Sequence, residues 1–279
     1  MKENIYLRFG NVTEEVSYIN FPGGEVVPQI QTGNLYPEKV MEVEIVARLT
    51  TQGDLLNLIM IHDAVSRVYP RAAISAFIPY MPYARQDRVC NPGEPLSIAV
   101  VARLINACNF VNVKILDPHS EVTPALFNRL EVVNQYDIFK DIYSSWREVY
   151  IAAPDGGAAK KAEMFAKRVG AAGVIHCTKV RDLETGIISG TRVNDTVEGR
   201  TLLVLDDIGD GCGTFVPLLH SLKSQGATSV SLAVTHGLFS KGIPVVSDIY
   251  DQVFTTNSYI RHLKGTGNLE VLNVTRETN

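Results

Sequence analysis

Two adjacent carboxylates, Asp206 and Asp207, follow the apolar run Leu202 to Leu205, and a third, Asp210, stands just beyond them. Paired carboxylates at a strand end can accept hydrogen bonds from neighbouring sugar hydroxyls. The turn after them holds Gly209, Gly211 and Gly213, and Thr214 opens the next predicted helix. Backbone amides in such a turn, with a helix N-terminus behind them, can wrap a phosphate. The combination Asp206, Asp207, Asp210, Gly211, Cys212, Gly213 and Thr214 therefore suits a phosphorylated ribose better than a base or a peptide. An ordinary sheet turn is the competing account, and it leaves the coincidence of carboxylates, glycines and threonine unexplained.

Three further segments carry polar residues where ligands of open parallel sheets gather, past the carboxyl ends of strands. Tyr83-Ala84-Arg85-Gln86-Asp87-Arg88 offers Arg85 to a phosphate and Gln86 to a base or ribose, while Arg88 can hold Asp87 as structure. Asp117-Pro118-His119 offers a carboxylate and an imidazole to a magnesium nucleotide, with His119 meeting phosphate; a buried structural pair is the bland alternative. Pro154-Asp155-Gly156-Gly157 leads into Ala158-Ala159-Lys160-Lys161, where the glycines admit a phosphate and Asp155 can carry Mg²⁺ directly or through water. Glycine pairs are common in α/β turns, so this segment alone has a plain structural reading too. Lys160, Lys161, Lys167 and Arg168 form the nearest thing to a basic patch and otherwise read as a solvated helix face. The six histidines are scattered, and none has zinc spacing.

The elements that must position these groups alternate. Helical spacing over Thr50 to Val68 and Leu96 to Ala107 flanks strands at Ala72 to Pro79 and Val111 to Leu116. A second set has strands at Val149 to Ala153, Gly173 to Thr178, Leu202 to Leu205 and Ser229 to Thr235, with a last one near Gln252 to Thr255. Helices fall between them over Ala158 to Val169 and Thr214 to Lys223. This order predicts an α/β fold of mainly parallel sheets flanked by helices, with halves at 1–140 and 141–279 joined around 135–148, or else one continuous sheet. Lys179 to Gly199 alternates in polarity and reads as a hairpin with Glu184-Thr185-Gly186 near its tip. Carrying Lys179 and Arg181, it could close over a substrate; a plain solvent hairpin is the alternative.

Composition narrows the class. With 279 residues, 46% apolar and 20% charged, the chain reads as soluble and globular, and a formal charge of −4 gives no general attraction to nucleic acid. Four dispersed cysteines without a CxxC suit reduced thiols in a cytoplasmic protein. The opening MKENIYLRFG lacks the order of a signal peptide, and no run reaches the about 18 apolar residues a bilayer requires.

Together, YARQDR at 83–88, DPHS at 117–120, PDGGAAKKA at 154–162, KVR at 179–181, DDIGDGCGT at 206–214 and THGLFS at 235–240 closely resemble the ribose-phosphate pyrophosphokinases. The resemblance runs from about Phe21 to Ser258. It implies two tandem phosphoribosyltransferase-type domains with an active site between them, and Mg²⁺ and ATP as cofactor and co-substrate. By the same resemblance Arg85, Gln86 and Asp87 belong to the ATP site, and His119 lies near Mg²⁺-ATP. Asp155 matches a magnesium-binding aspartate, and Lys179 and Arg181 match catalytic flap residues. Asp206 and Asp207 match ribose-hydroxyl binders, and 210–214 matches the 5-phosphate loop. Phe21 to Glu25 resembles a loop that reaches a neighbouring subunit's adenine, implying a homo-oligomer, at least a dimer, with no nucleic-acid or membrane partner.

The sequence also departs from the family pattern. The usual DTAGT is Asp210-Gly211-Cys212-Gly213-Thr214 here. Val89 to Glu94 replaces a basic run, QxxGFF is missing after His119, and the usual C-terminal helix is not present. These changes put the family's phosphate and ADP regulation in question. The expected reaction moves the β,γ-diphosphoryl group of ATP to the anomeric hydroxyl of ribose 5-phosphate. The alternatives are a 5-substituted acceptor such as ADP-ribose, a nucleobase phosphoribosyltransferase, or a non-catalytic regulatory subunit.

Overall fold

The computed structural model describes residues 4–31, 37–144, 146, 148–181 and 188–275. The chain forms two compact units: one runs to Val133 and takes back Thr275, and the other runs from Asn134 to Val274. Their sheets are separate.

In the first unit the strands are β1 (Ile5–Phe9), β2 (Val12–Glu15), β3 (Ser17–Asn20), β4 (Val26–Gln29), β5 (Glu42–Ala47), β6 (Ala73–Ile78), β7 (Val113–Leu116) and β8 (Leu130–Val133). The helices are α1 (Gln52–Val68), α2 (Ser97–Ala107) and α3 (Val122–Leu126). The sheet order is β2-β1-β5-β6-β7-β8, parallel from β5 to β8, with β1 antiparallel to both neighbours. The antiparallel N-terminal strands were not foreseen, because β2 and β3 are four-residue strands of mixed polarity with no sustained apolar run. Helix α1 begins at a capping box: Thr51 Oγ1 accepts from the Asp54 amide at 3.2 Å, and Asp54 Oδ2 accepts from the Thr51 amide at 2.8 Å. Its apolar face, with Leu58, Ile61 and Val65 fully buried, joins Ile45, Ile78, Ile98 and Ile115 in one core.

The second unit adds helices α4 (Gln135–Ser144), α5 (Gly156–Val169), α6 (Phe215–Ser224) and α7 (Pro244–Ser247). Its strands are β9 (Val149–Ala153), β10 (Gly173–Arg181), β11 (Ile188–Val193), β12 (Thr201–Gly209), β13 (Ser229–Gly237), β14 (Val253–Thr256) and β15 (Leu269–Leu272). The segment read as a joint, 135–148, thus contains α4. The sheet order is β11-β10-β9-β12-β13-β14-β15, parallel except for the β10–β11 hairpin. Strand β14 is not the last, since β15 follows beside it. Central strands such as β13 are buried along nearly their whole length, which is why they read as continuous apolar runs. Pro217 sits in the first turn of α6, where its missing N–H is harmless. All four cysteines are free thiols, Cys90 exposed and the others buried. No helix among the described residues is long and apolar enough to cross a membrane.

Candidate active site

Strand β12 outruns its neighbour, and this positions the carboxylates. Its pairing with β9 ends at Val204 and Ala152, while its pairing with β13 continues to Gly209 and Gly237. Asp206 and Asp207 are therefore not beyond the strand, as expected, but inside it, on the stretch where β9 has already stopped. The chain leaving β9 meets that stretch at Asp155. Burial, the Asp207 carboxylate and, more weakly, Asp155 together push the Asp206 carboxyl well above the ordinary range. Asp206 Oδ1 also accepts from the Asp207 amide at 2.9 Å.

Asp155 caps α5. Its Oδ1 accepts from the amides of Gly157 at 2.9 Å and Ala158 at 3.0 Å, and its Oδ2 lies 2.5 Å from Lys179 Nζ. Burial works to raise this carboxyl, but the Lys179 ammonium and the two amides outweigh it and hold it below the usual carboxylate range. The amides expected to cradle a phosphate here are thus taken by the protein's own carboxylate. A Cβ on Gly157 would lie 3.2 Å from Asp155 Oδ1, so this glycine serves the cap, while Gly156 faces open space. Lys161 reaches within 3.8 Å of Asp207 Oδ2.

Lys179 stands on β10, paired with Thr191 of β11, so the expected hairpin exists up to Arg181 and from Ile188. The Arg181 side chain and the tip, Glu184-Thr185-Gly186, lie outside the described residues. At the other flank, the loop 210–214 precedes α6. Cys212, buried, holds the left-handed conformation at φ 57°, and its carbonyl accepts from Phe215 and Val216. The Thr214 side chain makes no capping hydrogen bond. Gly213 faces open space.

Gln135 was missed from the sequence. Buried at the start of α4, it donates from Nε2 to the Asp206 carbonyl at 2.6 Å and to Thr235 Oγ1 at 3.3 Å, fastening β12 to β13 at the carboxylates. A glutamine opening an amphipathic helix carries no local signal of that task.

In the first unit, β6 and β7 are neighbours, so the turns after them meet. Arg88 grips the buried Asp87 through two hydrogen bonds, Nε to Oδ1 at 2.7 Å and Nη2 to Oδ2 at 3.2 Å. The Arg88 hydrogen bond, a second from Ser120 and the nearby His119 hold Asp87 below the usual carboxylate range. Asp87 is thus engaged by the protein, whereas Arg85, Gln86 and His119 are exposed. Tyr83 at φ 61° and Asp117 at φ 33° carry the backbone bends that shape these two turns. Phe21 and Glu25 occupy the exposed tip of the β3–β4 hairpin, closed by Phe21 N–H donating to the Glu25 carbonyl at 2.9 Å.

Among the described residues, no cluster of three or more His, Cys, Asp or Glu stands ready to hold a metal ion. Mg²⁺ commonly keeps its waters and takes one or two carboxylates together with substrate phosphates. Asp155 fits that mode, having hard oxygen donors, one of them paired with the end of the flexible Lys179 side chain. His119, a nitrogen donor, suits phosphate contact better than Mg²⁺.

Comparisons with known proteins identify the family. Residues 1–108 match the N-terminal domain of ribose phosphate pyrophosphokinase. A ribose-phosphate pyrophosphokinase of Campylobacter jejuni is 32% identical over 234 residues, covering 81% of this chain and 73% of that protein. One of Pyrococcus furiosus is 30% identical over 253 residues, covering 84% of this chain and 89% of that protein. The crystal structure of phosphoribosylpyrophosphate synthetase from Mycobacterium smegmatis shares the fold, with a TM-score of 0.77 at 24% identity over 92% of this chain and 85% of that one. With these relatives matched over most of their length, the chain belongs to the ribose-phosphate pyrophosphokinase family.

Proposed function

We propose that this protein is a Mg²⁺-dependent diphosphotransferase built from two phosphoribosyltransferase-type domains. It converts ATP and ribose 5-phosphate to phosphoribosyl pyrophosphate and AMP. The observation that carries this reading is the convergence of Lys179, Asp155, Asp206 and Asp207 at one edge of a parallel sheet, with loop 210–214 following directly. The anomeric oxygen bonds to the β-phosphorus, and the bond from that phosphorus to the oxygen bridging the α-phosphate breaks. AMP departs with that oxygen, and the anomeric hydroxyl gives up its proton.

Asp206 and Asp207 orient the ribose hydroxyls through hydrogen bonds. The amides of 211–214 hold the 5-phosphate, with the positive end of the α6 dipole behind them. Arg85 and Gln86 contact ATP, His119 meets its phosphates, and Asp87 keeps their turn in shape through Arg88 and Ser120. Lys179, released from Asp155, joins Arg181 in neutralising charge on the transferring group, so positioning and electrostatics supply the catalysis. Asp155 would hold Mg²⁺, which would supply charge neutralisation to the transferring group. The exposed Phe21 hairpin tip supports self-association to a dimer or larger, which sedimentation of the full chain against Phe21→Ser tests.

A second reading keeps the chemistry and enlarges the acceptor to a 5-substituted ribose such as ADP-ribose; it is favoured by the open space beyond Gly213. AMP release from ATP and Mg²⁺ with each acceptor in parallel decides between them. Turnover with ribose 5-phosphate in excess of ADP-ribose is expected, and the reverse order would replace the first reading by the second.

A further inference from the structure

The turn that follows β13 is locked onto the end of β12, next to the loop 210–214. The amides of Leu238 and Phe239 both donate to the Gly209 carbonyl at 2.9 Å, and Gly242 N–H closes the turn on the Phe239 carbonyl at 2.8 Å. Phe239 is buried, in the left-handed region at φ 46°, with its ring filling the space a Cβ on Gly237 would need: Cε2 would stand 2.3 Å from it. The backbone of Ser240 and Lys241 is thereby held over residues 209–211. A Cβ on Gly211 would lie 3.5 Å from Lys241 Cε, 3.6 Å from Lys241 Cδ and 3.7 Å from Ser240 Oγ. The Lys241 stem therefore lies along Gly211, and its ammonium is one bond beyond Cε on an exposed residue.

Resting on the acceptor assignment above, we propose that Lys241 is a specificity-determining residue of the acceptor site: it neutralises the second charge of a 5-phosphate monoester seated in loop 210–214. The loop itself offers neutral amides, and Asp210 adds a negative charge to it. A monoester near two negative charges gains more from an added cation than a diester with one. Gly211 is the complementary half of the device, because the γ atoms of a larger residue there would occupy the path of the Lys241 stem. The backbone is fixed by Phe239 while the charged end keeps its reach, which suits a contact made only when the anion arrives.

Equilibrium binding without ATP tests this, apart from turnover. Lys241→Met should bind ribose 5-phosphate about tenfold more weakly, with a loss of about threefold or less for a 5-phosphodiester ribose, and Lys241→Arg should stay close to wild type. Gly211→Thr should show the tenfold loss too, and adding Lys241→Met to it should cost little more. Inorganic phosphate reads Lys241 independently of the sugar: its affinity should fall with Lys241→Met even if ribose 5-phosphate proves not to be the acceptor. Affinity of Lys241→Met for inorganic phosphate and ribose 5-phosphate within twofold of wild type, or an equal loss for monoester and diester, overturns the proposal. Lys241 is exposed, so failure to fold does not confound the measurement.

Discussion

Helices α5 and α6 both begin after a central strand and a glycine-bearing turn, yet they satisfy their first amides by different means, a side-chain carboxylate at one and a backbone carbonyl at the other. At α5, Asp155 satisfies the amides of Gly157 and Ala158 and is itself paired with Lys179. At α6, Thr214 makes no side-chain cap; Cys212 turns in a left-handed conformation, its carbonyl takes the amides of Phe215 and Val216, and Pro217 has none to offer. A closed helix start keeps a carboxylate fixed and ready for a cation. At α6 the first turn is closed by its own backbone, and the proposed place for an anion is the loop 211–214 before it. Similar glycine content thus serves two different chemistries, separated by one side chain.

The largest test removes the link on the closed side. Lys179→Ala should lower AMP formation by a factor of about 10²–10³ while thermal unfolding barely changes; near-normal turnover would mean that the Asp155–Lys179 pair is only structural. At α6, Thr214→Val should raise KM for ribose 5-phosphate about tenfold and leave Tm unaltered, since the hydroxyl caps nothing in the free protein. A fall in Tm without a change in KM would make α6 an ordinary capped helix.

Asp155→Ala should lose about 1 kcal/mol of stability, roughly 2–4 °C in Tm. The Asp155 carboxyl is held low in the folded state. Its contribution is therefore full above the ordinary carboxylate pKa of about 3.9 and fades as pH falls through the lower native value. The Tm gap between wild type and variant should close in acid. Asp206 has the opposite sign: its native carboxyl is pushed up, so ionising it costs stability as pH rises above about 4. Asp206→Asn should accordingly unfold one or more degrees higher than wild type near pH 7, with the advantage vanishing toward pH 4. A pH-independent gap for either variant would contradict the charge arrangement at this edge of the sheet.

Much of the second unit was legible because its parallel strands are buried on both faces and its helices start at polar residues. Val149–Ala153 coincides with the reading from the sequence, and α5 ends where Gly170 adopts φ 68°. The first unit's antiparallel strands were not, since β1 to β4 are short, and the pairing that joins β1 to the parallel sheet links Ile5 to the distant Ala47. Within the site, the carboxylates and glycines announced themselves. Gln135 and Lys241 did not, because each acts on a residue dozens of positions away.

Local chemistry alone determined which residue types were present and on which kind of element they would sit: carboxylates near a strand end, a glycine turn, a helix start, a cationic hairpin. Tertiary structure decided which of those groups were already spoken for. Whether Asp206 and Asp207 stand clear of a neighbouring strand depends on how far β12 runs past β9, a distance set by sheet register and unreadable along a single strand.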